Sequence, residues 1–260
     1  VSVGVVSCQK AERAPEQAQT EVSKQVLDKI EKLGFSSENV IARDGGYLVE
    51  GDILLTDANL NEEAKSPNLR IAQDEQYRTT NLVTGLPRVI TVSVSNLTTP
   101  YSQATDVAIA RYNAENLRIT FQRVSSGGNI NIVGFNEGPS GGYITLGSAG
   151  FPTSTGNPYN EIKMNTNEYA YGANPDVNYL ASVLTHEMGH CIGFRHTDYR
   201  SRQYSCGGKR PQNEGTAGVG AVHIPGTPTS PDANSWMLAC SNGGNRLFNA
   251  NDVIALNYLY

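Results

Sequence analysis

Residues 186–196 read His-Glu-Met-Gly-His-Cys-Ile-Gly-Phe-Arg-His, which sets three histidines, one glutamate and one glycine at the spacing HExxHxxGxxH. On a helix, residues four apart share a face, so His186 and His190 can offer two imidazoles to one Zn²⁺ at about 2.1 Å. Glu187 is rotated off that face, too far round to be a ligand but well placed to take a proton from a metal-activated water. Gly193 allows the positive φ that turns the chain out of the helix and swings His196 back as the third ligand. Three protein ligands leave a fourth position open, as catalysis requires. At average residue frequencies the match arises by chance in roughly one chain in 10⁵ of this length. A buried helix with merely hydrogen-bonded histidines would need neither the glycine nor the glutamate. A non-catalytic zinc module would not need Glu187.

The elements that must position these residues follow from periodicity. Residues 178–194 read as the zinc helix, and residues 102–116 as a second long helix. Alternation predicts strands over 88–95, 117–124 and 129–135, with shorter ones at 141–150 and 161–166. Strand, helix, strands, helix is the pattern of a twisted sheet carrying two helices, an α+β arrangement. Residues 199–235 are dense in Gly, Pro, Ser, Thr and Asn and read as a long irregular loop, with His223 a packing residue within it. The chain closes on Asn-Asp-Val-Ile-Ala-Leu-Asn-Tyr-Leu-Tyr, an N-capped amphipathic helix. Upstream, residues 11–33 carry a helical stripe of Val22, Val26, Leu27 and Ile30. Residues 39–55 read as two strands joined at Asp44-Gly45-Gly46, and residues 56–80 as a polar linker open to proteases.

The 260 residues suit one sizeable domain plus an appendage, and the net charge of −5 argues against nucleic acid or an anionic membrane as the main partner. No apolar run reaches the length of a membrane helix. The opening Val-Ser-Val-Gly-Val-Val-Ser-Cys resembles the tail of a secretory signal, and also a lipoprotein processing box that would anchor the chain through Cys8. Export makes four cysteines an invitation to disulfides. Of the three pairings, Cys206–Cys240 is favoured because both lie in loop-rich sequence, and closing that loop is worth about 3–4 kcal/mol. Cys191, inside the zinc helix, reads as a small core residue.

These residues resemble the metzincin zinc endopeptidases, whose signature is the long histidine motif followed by a methionine in a turn below the metal. Met237, in Ser235-Trp236-Met237-Leu238, fits that place. Val-Glu-Gly-Asp-Ile (49–53) is similar to the inhibitory prosegment stretch of the astacin family, and the likeness runs to secreted bacterial proteases of the myroilysin type. Two positions depart from astacins: Thr197 and Asp198 follow the third histidine where a glutamate is usual, and Ala239 stands where a zinc-binding tyrosine would be. The resemblance implies a metzincin-like twisted mixed sheet with two long helices, a loop-rich lower subdomain and a C-terminal helix, preceded by a small α/β prosegment. It also implies that Tyr143, Ile144, Thr145, Leu146 and Gly147 form an exposed edge strand that pairs with the peptide substrate.

The expected organisation is a prosegment over 1–78, its boundary between 65 and 79, and a catalytic domain over 79–260. The expected function is a secreted zinc endopeptidase, latent until an activating protease removes the prosegment. The expected blocking ligand at the open metal position is Cys8, since a thiolate is a strong soft ligand and this cysteine lies outside the catalytic region; the alternative is Asp52, which has the family resemblance behind it. The competing class is an exported adhesion module on a protease-like fold without catalysis.

Overall fold

A computed structural model describes residues 22–33, 35–43, 45–61, 76–140, 143–207, 221–228 and 230–260. Cys8, Asp44, Lys65 and the start of the first predicted helix lie outside the described residues. In chain order come helix α1 (Lys24–Lys32), strands β1 (Ile41–Arg43), β2 (Gly46–Val49) and β3 (Ile53–Leu55), the short helix α2 (Asp57–Leu60) and strand β4 (Tyr77–Arg78). Strand β5 (Arg88–Val94), helix α3 (Thr99–Ala114), and strands β6 (Ile119–Arg123), β7 (Ile130–Phe135), β8 (Gly147–Ala149) and β9 (Glu161–Asn165) build the main sheet and its first long helix. Helix α4 (Glu168–Tyr171) leads to the second long helix, α5 (Val177–Ile192), and strand β10 (Phe194–Arg195). Helix α6 (Gln203–Cys206), strand β11 (Val222–His223) and helix α7 (Ala250–Leu259) complete the order.

The large sheet runs β1-β2-β3-β8-β9-β7-β5-β6 and is mixed. Strands β6, β5, β7 and β9 are mutually parallel; β8 turns antiparallel to β9. The alternation read from sequence has a direct counterpart in β7, where Ile130 and Ile132 are buried between less buried neighbours. Those isoleucines join Ile90, Val92, Ile162 and Met164 in one core with Ala104 and Ala108 of α3 and Leu180, Leu184 and Met188 of α5. The two long helices are locked where the Tyr112 hydroxyl donates to the Thr185 carbonyl at 2.8 Å. Asp176 caps α5 by accepting from the Tyr179 amide, and Gly193, at φ 108°, ends it.

Three sequence expectations change. Residues 39–55 form three strands instead of two, because Glu50 (φ 55°) and Gly51 (φ 88°) make a second turn between β2 and β3. Residues 76–80 are not linker: Tyr77 is buried, and β4 is the middle strand of a small sheet ordered β10-β4-β11. Finally, the edge strand expected over Tyr143–Gly147 begins only at Gly147. The Thr145 carbonyl accepts from the Asn165 side-chain amide (2.8 Å), and the Leu146 carbonyl accepts from the Asn165 backbone amide (2.9 Å) and the Tyr171 hydroxyl (2.9 Å). Side chains therefore supply much of what a ladder would. Nor is β8 an edge, since β3 lies parallel to it and Ala149 donates to the Asp52 carbonyl at 2.9 Å.

Candidate metal centre

Helix α5 delivers His186 and His190 on one face, as the four-residue spacing demands. The loop that leaves Gly193 returns His196 beside them, fully buried. The His190 and His196 Nε2 atoms are 3.2 Å apart. Asp52 Oδ2, from the turn before β3, lies 3.0 Å from His196 Nε2 and 3.4 Å from His186 Nε2. Ligand atoms of all four residues fall within 4.8 Å of one another.

The tautomers are set by the surrounding backbone. His186 Nδ1 faces the Trp236 carbonyl at 2.9 Å, and His190 Nδ1 faces the Phe194 carbonyl at 2.8 Å. Each Nδ1–H therefore donates outward and leaves the Nε2 lone pair pointing inward, the arrangement that metal-bound histidines use. Lone pairs this close repel unless a cation lies between them. Tetrahedral Zn²⁺ at about 2.0–2.1 Å from each ligand separates the ligand atoms by about 3.3 Å, which matches the observed spacings. His186 Nε2, Glu187 Oε2 and Asp52 Oδ1 are buried without hydrogen-bond partners, so the donor set fits a metal that would complete it.

Charge in this pocket is strongly perturbed. Burial would raise the Asp52 carboxyl, but the imidazoles of His196, His186 and His190 outweigh it and hold the group well below the usual carboxylate range. Glu187 moves the other way: burial first, then the Asp52 charge, push it well above the ordinary value, with His196 opposing. His190 is driven down by burial and by its two neighbouring imidazoles, which favours the neutral ring a metal needs. Gly147 is part of this site for steric reasons, because a Cβ there would come within 2.8 Å of Glu187 Oε1.

Met237 is fully buried beneath the helix, and a Cβ on Gly189 would come within 2.7 Å of its sulfur. The turn itself hangs on Asp252 of α7, which accepts from Gln76 Nε2 (2.6 Å), Ser235 Oγ (2.9 Å), the Trp236 amide (3.2 Å) and the Asn249 amide (3.0 Å). Burial lifts this carboxyl to about 6 against those bonds. Asp198 accepts from the Ala239 amide at 2.9 Å and from Ser205 Oγ at 2.6 Å, tying the loop after His196 to the same turn. The structure joins Cys206 to Cys240 in a disulfide, and Cys191 is a buried thiol. His223 faces the Thr227 hydroxyl at 3.0 Å.

Sequence reasoning missed Glu50, Arg195, Gly189, Gln76 and Asp252 as parts of the site, and placed Gly147 only in a substrate strand. Only Gly189, inside the motif and four residues before Gly193, carried a local signal: a helix-interior glycine needs a packing reason. Tyr143, by contrast, is exposed at the rim of a cavity of about 400 Å³ that runs from His186 and Glu187 past Trp236 and Leu238 to Cys240, roofed by Leu48, Gly51 and Asp52.

Residues 47–260 match the family model Peptidase_M57, described as a dual-action HEIGH metallo-peptidase. Two solved structures of myroilysin are similar at 14% identity: one over 69% of this chain and 96% of its own with a TM-score of 0.43, the other over 78% and 95% with a TM-score of 0.40. High choriolytic enzyme 1, a hatching enzyme zinc-protease from Oryzias latipes (medaka fish), is similar at 15% identity over 66% of this chain and 88% of its own, with a TM-score of 0.37. No curated protein has significant sequence similarity to the chain.

Proposed function

Because the chain belongs to the Peptidase_M57 family and is a zinc metalloendopeptidase, we propose that it is exported and made as a latent precursor, with the segment before Gln76 lying across the catalytic cleft. His186, His190 and His196 hold the zinc. When bound, the metal supplies a Lewis acid that polarises the scissile carbonyl and activates water. Glu187 acts as the proton carrier: its buried, partnerless Oε2 accepts the proton of the attacking water and passes it to the leaving amine. Burial, which pushes its carboxyl above the ordinary value, keeps this group out of bulk water beside the histidines. Met237 and Gly189 floor the site, and the Trp236 carbonyl orients His186.

The observation that carries latency is Asp52 Oδ2, 3.0 Å from His196 Nε2, where the fourth ligand belongs. In this reading Asp52 closes the open position, while β3 covers the side of β8 along which a peptide would pair. Removal of the segment frees both together, leaving Gly147–Ala149 and the approach at Tyr143, Ile144, Thr145 and Leu146 for substrate. The cut that releases it falls before Gln76, whose side chain is built into the Met237 turn. Export is supported by the Cys206–Cys240 disulfide, which persists in oxidising compartments. No helix among the described residues is long and apolar enough to cross a membrane.

The test is casein cleavage by the full chain before and after limited proteolysis. Processed protein should lose activity to a chelator and regain it with zinc, and Glu187→Ala should lower the rate by about 10²–10⁴-fold. In unprocessed protein, Asp52→Ala should release activity while Cys8→Ala stays latent. The opposite result assigns the block to Cys8.

A further inference from the structure

Arg43, from the segment before Gln76, donates through Nη2 to Glu137 Oε2 at 2.6 Å, and both residues line the cavity that holds His186 and Glu187. Side-chain exposures of 32% and 40% leave this pair only partly covered. Among the described residues it is the one ion pair that either side chain makes. Glu137 itself lies two residues past β7, and its backbone is built into the catalytic part of the chain. Asn165, fully buried on β9, accepts from the Glu137 amide at 3.2 Å through Oδ1 and donates through Nδ2 to the Glu137 carbonyl at 2.8 Å. The same Nδ2 donates to the Thr145 carbonyl at 2.8 Å, so one buried amide fixes Glu137 to the rim of the cleft. Next to it, Asn136 Oδ1 accepts from Asn167 Nδ2 at 2.7 Å. None of these bonds uses the segment that carries Arg43.

We propose that Glu137 is a specificity residue of the cleft that recognises a Lys or Arg side chain of the peptide substrate, and that Arg43 takes this place in the precursor. The inference rests on the reading of the chain as a protease precursor. Arg43 departs with the segment, whereas Asn165 keeps the Glu137 backbone where it stands. A carboxylate on an anchored backbone offers an ammonium or guanidinium a charge-assisted hydrogen bond with little ordering left to do. The fold also sets the reach. Thr145, tied to Glu137 through Asn165, stands two residues from Gly147, where a Cβ would meet Glu187. Two extended residues span about 7 Å, and the shared amide adds its own width, so the basic residue falls about three or four positions from the scissile bond.

The experiment compares kcat/KM of processed, zinc-loaded protein on matched fluorogenic peptides. The peptides differ only by Lys, Arg, Gln or Glu at each position from four before to four after the cleaved bond. Wild type should prefer Lys and Arg over Gln by about 2–10-fold at one position away from the bond, mainly through KM. That preference should shrink as salt rises from about 0.05 to 0.5 M, because the pair is only partly covered. Glu137→Gln should bring the ratio near one, and Glu137→Lys should turn it toward Glu. A wild-type ratio near one at every position overturns the proposal without any variant. So does a basic preference that survives Glu137→Gln, or one confined to the two residues that flank the bond. Should processed protein cleave no peptide, the protease reading falls and takes this inference with it; cleavage without a basic preference removes this inference only.

Discussion

Residues 186–196 and the β2–β3 hairpin meet at the same ligand atoms, yet they are held there by different means. The motif is positioned mainly within its own segment: a capped helix fixes His186 and His190, a left-handed glycine returns His196, and the Phe194 carbonyl sets the His190 tautomer. The hairpin reaches the site from more than a hundred residues away in sequence. Among the described residues it is seated by a parallel rung to β8, the Arg43–Glu137 ion pair, the Phe35–Phe151 ring stack, and carboxylates against Arg195 and the histidines. An element held by a few polar contacts can be released by one cut, while an element woven into the core cannot. Buried ion pairs suit such a joint, since they contribute little net stability when intact but are costly to leave half-made.

Breaking that joint gives the largest effect. Glu50→Ala removes the carboxylate that Arg195 Nη2 bonds and should destabilise hairpin docking by about 3–5 kcal/mol. Hydrogen exchange in the unprocessed chain should then show the amides of β2 and β3 losing protection while those of α5 keep theirs. Equal loss in both regions would mean that hairpin and motif form one cooperative unit, and the contrast between them would fail.

The motif side is sharpened by Asp252, which anchors the Met237 turn. Its folded pKa of about 6 exceeds the unfolded value of 3.8, so the folded state binds the proton more tightly. Stability is therefore greatest below pH 4 as far as this group is concerned, and is lost as pH rises from about 4 to 6, by about 3 kcal/mol in all. Asp252→Asn should flatten that slope in urea titrations across the window. An unchanged slope would place the titration elsewhere.

The smallest effect is steric. Gly189→Ala sets a methyl 2.7 Å from the Met237 sulfur and should cost about 1–3 kcal/mol in unfolding free energy, with hairpin exchange unaltered. A neutral result would show that the flexible thioether simply moves aside.

The histidines, Glu187, Gly193 and Met237 were legible because helix periodicity and one glycine dictate their geometry within eleven residues, with the methionine turn following from family likeness. The alternating strands from Arg88 onward were legible for the same reason: a repeat of two or of 3.6 writes burial directly into sequence. The edge strand that the resemblance implied at Tyr143–Gly147 begins only at Gly147, because Asn165 and Tyr171 take up carbonyls that pairing would have used. Gln76 and Tyr77 looked like linker, since nothing in a short polar stretch announces that it will be the middle strand of another sheet.

What the sequence determined alone is the metal-binding chemistry, since its residues lie on one short segment whose conformation is set by local rules. What only the tertiary structure decided is what stands opposite that segment: Asp52 beside the three histidines, Glu50 on Arg195, and β3 along β8. Those contacts join residues about 95 to 145 apart in the chain. No local propensity encodes them, because the free energy that selects them comes from burying one surface against another.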